Sequence, residues 1–493
     1  MVESRKGPDS VLTEAIMAEL RAVVGADGLL CDQTQLQTYD CDGLLAFRSM
    51  PDAVVLPRST EQTQRVVKIC ARHKIPFVGR GAGTGLSGGA TPSQGGVVIS
   101  FGRMNRILKV DLPNQRVTVQ PGVINLHVSQ RVAPMGYFYA PDPSSQSVCT
   151  IGGNIAENAG GAHCLKYGFT TTHVLGMTVV LPTGEIVLVG SETLDPIGYD
   201  LTGLLVGSEG TLGLATEITL RIVRKPQTIQ VLLAAFDSIS AAGQTVSDII
   251  AEGILPAAME IMDKLSIEAA EVSVHPNYPK CEALLLVEVD GPAAEVEFHM
   301  ARVRELCRNN GAWEDRLAQS EMERMLVWKG RKAAFAAAGR LAPNYIVQDG
   351  VIPRTKLPEI LERIGAMSAK AGLRVSNVFH AGDGNLHPIV LYDAKIPGQE
   401  EIAVDLSTRI LEVCVDLGGS ITGEHGVGKE KQCAMGYMYS EPDLDTMQRV
   451  RFALDPDHIA NPDKIFPRPR LCGEKTGPYT PHPLEVQGIA EYF

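Results

Sequence analysis

Long hydrophobic runs are missing from this chain of 493 residues, and none reaches the roughly 18 apolar residues that a membrane-spanning helix requires. The opening stretch, MVESRKGPDSVLTEA, also lacks the apolar segment of a secretory signal, so nothing in it directs export. We therefore expect a cytoplasmic protein with no transmembrane segment.

Cysteine pairs and an excess of positive charge are missing as well. The ten cysteines include no CxxC pair, which argues against a cysteine-based zinc site, a disulfide framework or iron–sulfur ligation and favours reduced thiols. Lys and Arg number 45 against 57 Asp and Glu, giving a formal net charge of −12, and no basic stripe with interleaved aromatics offsets it. Nucleic acid is therefore not an expected partner.

The chain is too long to fold around a single hydrophobic core, and changes in its sequence pattern divide it into three parts. Residues 1–226 carry a helical lead-in over 1–50, followed by short β-rich runs separated by Gly and Pro. Residues 227–435 alternate apolar strands with helices, which predicts a separate α+β domain. Residues 436–493 are expected to return to the first domain, with a loosely packed tail after about 468.

A glycine-rich loop, GRGAGTGLSGGATP, covers residues 79–92. Its GxGxxG pattern is weak evidence for a Rossmann fold, because Pro92 and Gly95 lead into the β-rich VVISF instead of a helix, and no Lys-Ser or Lys-Thr makes it a Walker loop. A glycine-rich backbone can still bring many N–H groups close to an anion, and Arg80 adds a cation. A flexible connector is the alternative, but a second glycine-rich stretch at 149–163 favours phosphate binding.

Two histidines flank a turn in VFHAGDGNLHP, residues 378–388. The flanking runs RVSNVFH and LHPIVLY predict a hairpin that brings His380 and His387 together across the turn. The two rings could simply hydrogen-bond near the turn. Glu424 in TGEHGVG supplies a third ligand, however, and two imidazoles with one carboxylate suit Zn²⁺, Mn²⁺ or Fe²⁺ without choosing among them.

Glu424 and His425 are neighbours, so in an extended conformation they point in opposite directions and cannot easily share one ion. We therefore assign Glu424 to the metal and His425 to the substrate. A metal lowers the pKa of a bound hydroxyl group, so a nearby histidine can remove its proton near neutral pH. A helix-capping or core role is the alternative for His425.

Several motifs together resemble one family. GRGAGTGLSGGATP, PDPSSQSVCTIGGNIAENAGG and LTGLLVGSEGTLGLATEITLRI resemble the FAD-binding domain of the vanillyl-alcohol oxidase and p-cresol methylhydroxylase superfamily. WKGRKAAFAAAGRLAPNYIVQDGVIPR, FHAGDGNLHP and GGSITGEHGVGKEK are similar to its FAD-linked 2-hydroxy-acid dehydrogenases, a group that includes the flavoprotein subunit of bacterial glycolate oxidase and the D-lactate and D-2-hydroxyglutarate dehydrogenases. The resemblance runs from about residue 40 to 468.

The resemblance implies an α+β fold with a two-part FAD-binding domain of the p-cresol methylhydroxylase type and an α+β cap domain with an antiparallel sheet. It places the FAD pyrophosphate on the first loop, at Arg80, Gly81, Ala82, Gly83, Thr84, Gly85, Leu86 and Ser87. It assigns flavin and ribityl contacts to Pro141, Asp142, Ser144, Thr150, Gly152, Gly153, Asn154, Asn158, Ala159, Gly160 and Gly161, and closes the site with Gly207, Glu209, Gly210 and Gly213. Residues 79–92 contain no histidine for covalent attachment, so we expect noncovalent FAD.

The resemblance also implies the chemistry. The substrate 2-hydroxyl and carboxylate chelate the metal, His425 is the base, FAD accepts the hydride, and Arg331 grips the carboxylate as a planar donor. Phe335 on the arginine's helical face leaves a second carboxylate without a partner, which favours glycolate or D-lactate over D-2-hydroxyglutarate.

Electrons must leave through an external acceptor, which the resemblance suggests is a companion flavin-fold subunit with an iron–sulfur subunit, peripheral at the inner membrane. The alternatives are an ether-lipid synthase of the same superfamily, a partner subunit without catalysis, and a non-redox metallohydrolase. The last of these leaves both glycine-rich loops unexplained.

Overall fold

A computed structural model describes residues 12–193 and 198–467. The first domain opens with the helices α1 Glu14–Val24, α2 Gln33–Leu36 and α3 Thr60–His73 and the strands β1 Leu29–Leu30, β2 Ala53–Val55, β3 Phe77–Arg80 and β4 Val97–Ser100. The strands form a sheet in the order β1-β2-β4-β3, in which β2, β4 and β3 are parallel. The glycine-rich loop joins β3 to the strand β4 and opens no helix, as its sequence predicts.

Local signals fix the ends of the first long helices. Thr13 accepts a hydrogen bond from the Ile16 N–H at the start of α1, and Gly25 ends the helix with φ +82°. Ser59 likewise accepts from the Gln62 N–H at the start of α3.

A second, antiparallel sheet completes this domain in the order β5-β6-β10-β8-β9. Its strands are β5 Ile107–Asp111, β6 Arg116–Val119, β8 Val174–Val180, β9 Ile186–Gly190 and β10 Leu214–Arg221; β7 Tyr137–Phe138 and β11 Val223–Arg224 pair separately. The helices between them are α4 Asn125–Val132, α5 Ile151–Glu157, α6 Cys164–Tyr167 and α7 Leu201–Leu205. The second glycine-rich stretch therefore starts α5, where Thr150 caps the helix by accepting from the Gly153 N–H.

The cap domain is built on a large antiparallel sheet with helices on its faces, as expected. Its strands are β12 Thr228–Phe236, β13 Ala258–Asp263, β14 Ala283–Gly291, β15 Glu314–Leu317, β16 Asn344–Val347, β17 Gly350–Val351, β18 Arg374–His380, β19 Asn385–Leu386 and β20 Pro388–Tyr392. Its helices are α8 Ile239–Ala251, α9 Lys264–Val274, α10 Ala293–Asn309, α11 Glu321–Ala337, α12 Leu357–Ala371, α13 Gln399–Asp416, α14 Gln432–Met438 and α15 Glu441–Leu454. Leu285 packs into the core on one face of the sheet and Leu284 and Leu286 into the core on the other, so the central strand is buried on both sides.

The last described residues contact the first domain. The Phe77 N–H donates to the Ile459 carbonyl at 2.8 Å, and the Asn461 N–H donates to the Phe77 carbonyl at 2.7 Å. The tail predicted after about 468 lies outside the described residues.

The structure also tests two expectations drawn from the sequence, that the cysteines are reduced and that no helix spans a membrane. Eight cysteines in the described ranges carry free thiols, whereas Cys433 is disulfide-bonded, so the expectation of reduced thiols is wrong for this residue. Among helices of the described residues, none has the length and apolar character needed to cross a membrane.

Candidate active site

The predicted hairpin brings the two histidines together. β18 pairs with β20 from Arg374 to Asn377, and His380 at the end of β18 lies opposite Asn385. His387 follows in the short link before β20, and the two histidine rings lie 5.1 Å apart between centroids and nearly perpendicular. The proximity expected from the sequence is therefore confirmed.

Glu424 completes a cluster that suits a divalent ion. Its Oε1 lies 3.4 Å from His380 Nε2 and 3.1 Å from His387 Nε2, and one donor atom from each residue falls within 4.8 Å of the others. His387 is fully buried, and the contact of its Nε2 with Glu424 Oε1 lacks the alignment of a hydrogen bond. A metal ion would satisfy this buried nitrogen and the carboxylate oxygen together, so the donor set fits the predicted ion.

Glu260, on β13, is a site residue that sequence reasoning missed. It is fully buried and its Oε1 lies 2.7 Å from His380 Nδ1, which directs the Nε2 of that ring toward the cluster. Its Oε2 accepts from Arg331 Nε at 2.6 Å. Burial lowers the pKa of His380, but the charge of Glu260 outweighs it and the pKa rises well above its usual value.

The segment with Glu424 and His425 is bent, so the expectation that these side chains point in opposite directions is wrong. The backbone N–H groups of residues 423–425 all donate to Asp349 Oδ2, at 2.9, 3.1 and 2.9 Å. Both side chains consequently line one cavity, with His425 Nε2 4.0 Å from Glu424 Oε1. Burial lowers the pKa of His425 to about 4, so the ring is neutral and able to accept a proton at neutral pH.

Asp349, His387 and His425 form a second group with metal-ligand spacing. The Asp349 carboxylate, however, already accepts the three N–H groups of the bend and the Thr422 hydroxyl. These donors converge on Oδ2, whereas Oδ1 accepts the Glu424 N–H at 3.3 Å and lies 3.8 Å from His387 Nδ1. The Lys431 ammonium, 3.4 Å from Oδ2, offsets the charge of this carboxylate, so the group with Glu424 is the better metal site.

A cavity of about 450 Å³ lies between the two domains. The predicted cofactor residues that line it are Arg80, Gly81, Ala82, Gly83, Thr84, Gly85, Leu86, Ser144, Thr150, Gly152, Gly153, Asn154, Ala159, Glu209, Gly210 and Gly213. The other predicted residues, which are not part of its lining, are Ser87, Pro141, Asp142, Asn158, Gly160, Gly161 and Gly207. The wall also contains apolar residues that were not predicted individually, among them Phe101, Met177, Val179, Leu214 and Val347.

The first loop presents the donors that a pyrophosphate needs. Among the hydrogen bonds of the described residues, no backbone N–H from Ala82 to Gly88 donates to a protein acceptor. Gly83 has φ +69°, and a Cβ at Gly81 would lie 2.2 Å from Thr150 Oγ1, so both positions require glycine. Burial lowers the pKa of Arg80, but the guanidinium remains a cation beside these free donors. The loop therefore fits the expected FAD pyrophosphate.

Glu209 joins the two halves of the cavity. Its Oε1 accepts the N–H groups of Val427 and Gly428 at 2.7 and 2.9 Å, so a predicted cofactor residue also holds the segment after His425. Glu157, a wall residue that sequence reasoning missed, faces the same carboxylate, and burial together with the Glu209 charge raises the pKa of Glu157 well above its usual value.

Arg331 and Lys332 differ in their exposure to the cavity. Arg331 is 2% exposed and its guanidinium lies against Glu260 and 5.9 Å from the centre of the Phe335 ring. Lys332, which sequence reasoning missed, lines the cavity and donates to Asp142 Oδ2 at 3.3 Å. The cation on the cavity wall is thus the lysine, partly neutralised by an aspartate of the first domain.

His163 links the two domains beside the cavity. Its Nδ1 lies 3.0 Å from Asp142 Oδ1 in the first domain, and its Nε2 lies 3.2 Å from Glu288 Oε1 in the cap. Trp328 Nε1 donates to the second oxygen of Glu288 at 2.6 Å. Burial lowers the pKa of His163, but the two carboxylates outweigh it and the pKa lies well above its usual value.

Comparison with known proteins gives two family matches and close relatives. Residues 51–190 match the FAD binding domain family, and residues 225–465 match the family of FAD linked oxidases, C-terminal domain. The chain is 48% identical to the glycolate oxidase subunit GlcD of Escherichia coli strain K12, over 95% of this chain and 94% of that protein. It is 35% identical to the D-lactate dehydrogenase of Anaerostipes hadrus, over 85% of this chain and 90% of that protein. The solved structure of p-cresol methylhydroxylase with substrate bound superposes with a TM-score of 0.77 at 18% identity, over 92% of this chain and 97% of that one.

The His163 link predicts a pH-dependent stability. Because folding raises the pKa of His163, its contribution is complete below about pH 6.5 and is lost as the pH rises through the folded-state pKa. At pH 6 we expect His163→Gln to lower the free energy of unfolding by about 3 kcal/mol, because two buried carboxylates lose their cation, and the deficit should shrink at alkaline pH. Thermal unfolding midpoints measured from pH 6 to 10 test this.

The exposed His127 provides the control, since His127→Gln should keep both the stability and the pH slope of the wild type. A His163→Gln protein with an unchanged slope would contradict the assignment.

Proposed function

Because this chain belongs to the family of FAD-linked oxidases that includes the glycolate oxidase subunit GlcD, we propose that it is an FAD-dependent dehydrogenase that oxidises a short 2-hydroxy acid, glycolate or D-lactate, to the 2-oxo acid. One observation carries the proposal: His425 and Glu424 line the same cavity as the glycine-rich loop with its free N–H groups. A base and a metal ligand therefore face the space that suits the flavin.

His380, His387 and Glu424 would hold a divalent ion, Zn²⁺, Mn²⁺ or Fe²⁺. Bound there, the ion lowers the pKa of a coordinated 2-hydroxyl group. The support is the buried His387 Nε2 without a hydrogen bond and the Glu260 carboxylate that orients His380. A further inner-sphere position is left for the substrate, because the three protein ligands do not complete the usual coordination.

His425 is the proposed base, taking the proton of the 2-hydroxyl group. Its low pKa keeps the ring neutral, and its stack on His387, with 5.0 Å between ring centres, holds it beside the metal ligands. FAD, which the glycine-rich loop would hold noncovalently, would supply the acceptor for the hydride from the substrate carbon. The apolar wall of the cavity excludes water from this step.

A cation must hold the substrate carboxylate. Arg331 is our candidate by family resemblance, and Lys332 is the alternative because it lies on the cavity wall. Phe335 lines the cavity on the next turn of the helix, where a longer diacid would need another cation. A short monocarboxylate therefore fits better than D-2-hydroxyglutarate, and a metallohydrolase would leave the nucleotide-sized cavity without a role.

The reduced flavin needs an external electron acceptor. The relative in Escherichia coli is called a subunit, and we propose that this chain also works with companion subunits, one with a flavin fold and one with iron–sulfur centres. We propose a cytoplasmic location, at the inner membrane through those partners.

The proposed reaction predicts a visible change in the purified protein. The protein should be yellow, and its flavin absorbance should bleach when glycolate or D-lactate is added without oxygen. Removal of the metal with a chelator should slow bleaching by about 100-fold or more, while FAD stays bound, and Zn²⁺ or Mn²⁺ should restore it. Acetate, which has no hydroxyl group, is the control substrate. Bleaching that survives complete metal removal would contradict the metal's role, and a colourless esterase would contradict the redox proposal.

The proposed base predicts a second result. His425→Ala should keep FAD and lower the rate of anaerobic flavin reduction by about 10²–10⁴-fold, the usual contribution of a general base. Stopped-flow absorbance measures that rate, and His127→Ala, on the exposed face of α4, should leave it unchanged. A wild-type rate in His425→Ala would remove this residue from the base role.

A further inference from the structure

Asp349 is a fully buried carboxylate between β16 and β17 that the chemistry above does not use directly. Its oxygens face the segment 421–431, which carries Glu424 and His425 and contains no helix or strand. A segment of this kind has no ladder of its own to fix its path, so its geometry must come from side chains around it.

Asp349 supplies those contacts. Its Oδ2 accepts from the Thr422 hydroxyl at 2.6 Å, from the three N–H groups of residues 423–425 at 2.9–3.1 Å, and from Lys431 Nζ at 3.4 Å. Four uncharged donor groups, one hydroxyl and three backbone N–H groups, and one ammonium thus converge on one charged acceptor. Hydrogen bonds to an ionised acceptor in a buried site are strong, and unmaking them leaves several polar groups unpaired.

The convergence explains the bend. Three consecutive N–H groups can reach one oxygen only if the backbone curls around it, and this curl turns two neighbouring side chains into the same cavity. Glu424 then meets His380 and His387, while His425 stacks on His387. In extended backbone one of the two side chains would face away.

We propose that Asp349 is a positioning residue that places Glu424 on the metal and His425 on the substrate at the same time. The inference rests on the proposed function for the roles of those two residues. Asp349 acts on both groups through the segment that it holds, and the Lys431 ammonium at 3.4 Å offsets its charge.

The test compares Asp349→Asn with Asp263→Asn in the FAD-loaded protein. Asp263 is a matched control, because it is a cap-domain carboxylate on the neighbouring strand pair β13–β18 that also accepts backbone N–H groups, from Ser266 and Asn377, and it does not line the cavity. Cobalt titration by calorimetry after chelator treatment measures metal affinity without substrate. We expect Asp349→Asn to raise the Kd for Co²⁺ by about 10–100-fold with FAD retained, and Asp263→Asn to leave it unchanged.

A second arm isolates His425. At saturating Co²⁺ and substrate, the flavin-reduction rate of Asp349→Asn should remain at least about tenfold below wild type, because added metal cannot realign the base. Wild-type Co²⁺ affinity and rate in Asp349→Asn, or equal losses in Asp263→Asn, would overturn the proposal.

Thr422→Val keeps the test decisive if Asp349→Asn fails to retain FAD. It removes one donor to the same carboxylate, and we expect the Kd for Co²⁺ to rise by about tenfold, the lower end of the range for such changes. An unchanged Kd would then overturn the proposal. Cobalt binding does not depend on the reaction, so the two proposals can fail separately. If the wild-type protein binds Co²⁺ but neither glycolate nor D-lactate reduces its flavin, the proposed function is refuted. The role of Asp349 is then decided by the cobalt affinities of the variants.

Discussion

Two buried carboxylates hold the irregular segment 421–431, and the arrangement of the site depends on this contact. Asp349 of the cap accepts the N–H groups before and at His425, and Glu209 of the first domain accepts those of Val427 and Gly428. The segment is therefore tied to both domains, one on each side of His425. Backbone without a ladder can be placed accurately only by such buried, charge-assisted bonds.

A second layer of charge orients the metal ligands. Glu260 contacts both His380 and Arg331, so one carboxylate sets the direction of a ligand ring and fixes the neighbouring helix. Because Glu260 is buried, losing its contact with either His380 or Arg331 would leave an unpaired buried charge. Buried paired charges also occur at the domain boundary, where His163 lies between Asp142 of the first domain and Glu288 of the cap and joins the two domains beside the cavity.

Short-range signals in the sequence predicted much of this. The hairpin was predicted from two β-rich runs around AGDGN. The glycine-rich loop was distinguished from a Rossmann motif because a strand follows it where a Rossmann motif has a helix. Asp349, Glu260 and Lys332 were missed because each lies far in sequence from its partners. Lys332 and Asp349 lie within the quoted motif of residues 328–354, but nothing local to them shows what they contact. Glu260 stands inside the apolar strand AMEIMD, where its neighbours suggest only core. The bend at Glu424 was also missed, because it depends on a carboxylate about 75 residues earlier, and local reasoning could only assume extended backbone.

The most direct test of the metal-centred account is anomalous diffraction from crystals of the FAD-loaded protein soaked with Zn²⁺ and measured at the zinc edge. We predict one strong peak at about 2.0–2.2 Å from His380 Nε2, His387 Nε2 and a Glu424 oxygen, beside the flavin. A peak within coordination distance of Asp349 and His425 instead would contradict the account. So would the absence of any peak in the cavity at a saturating zinc concentration.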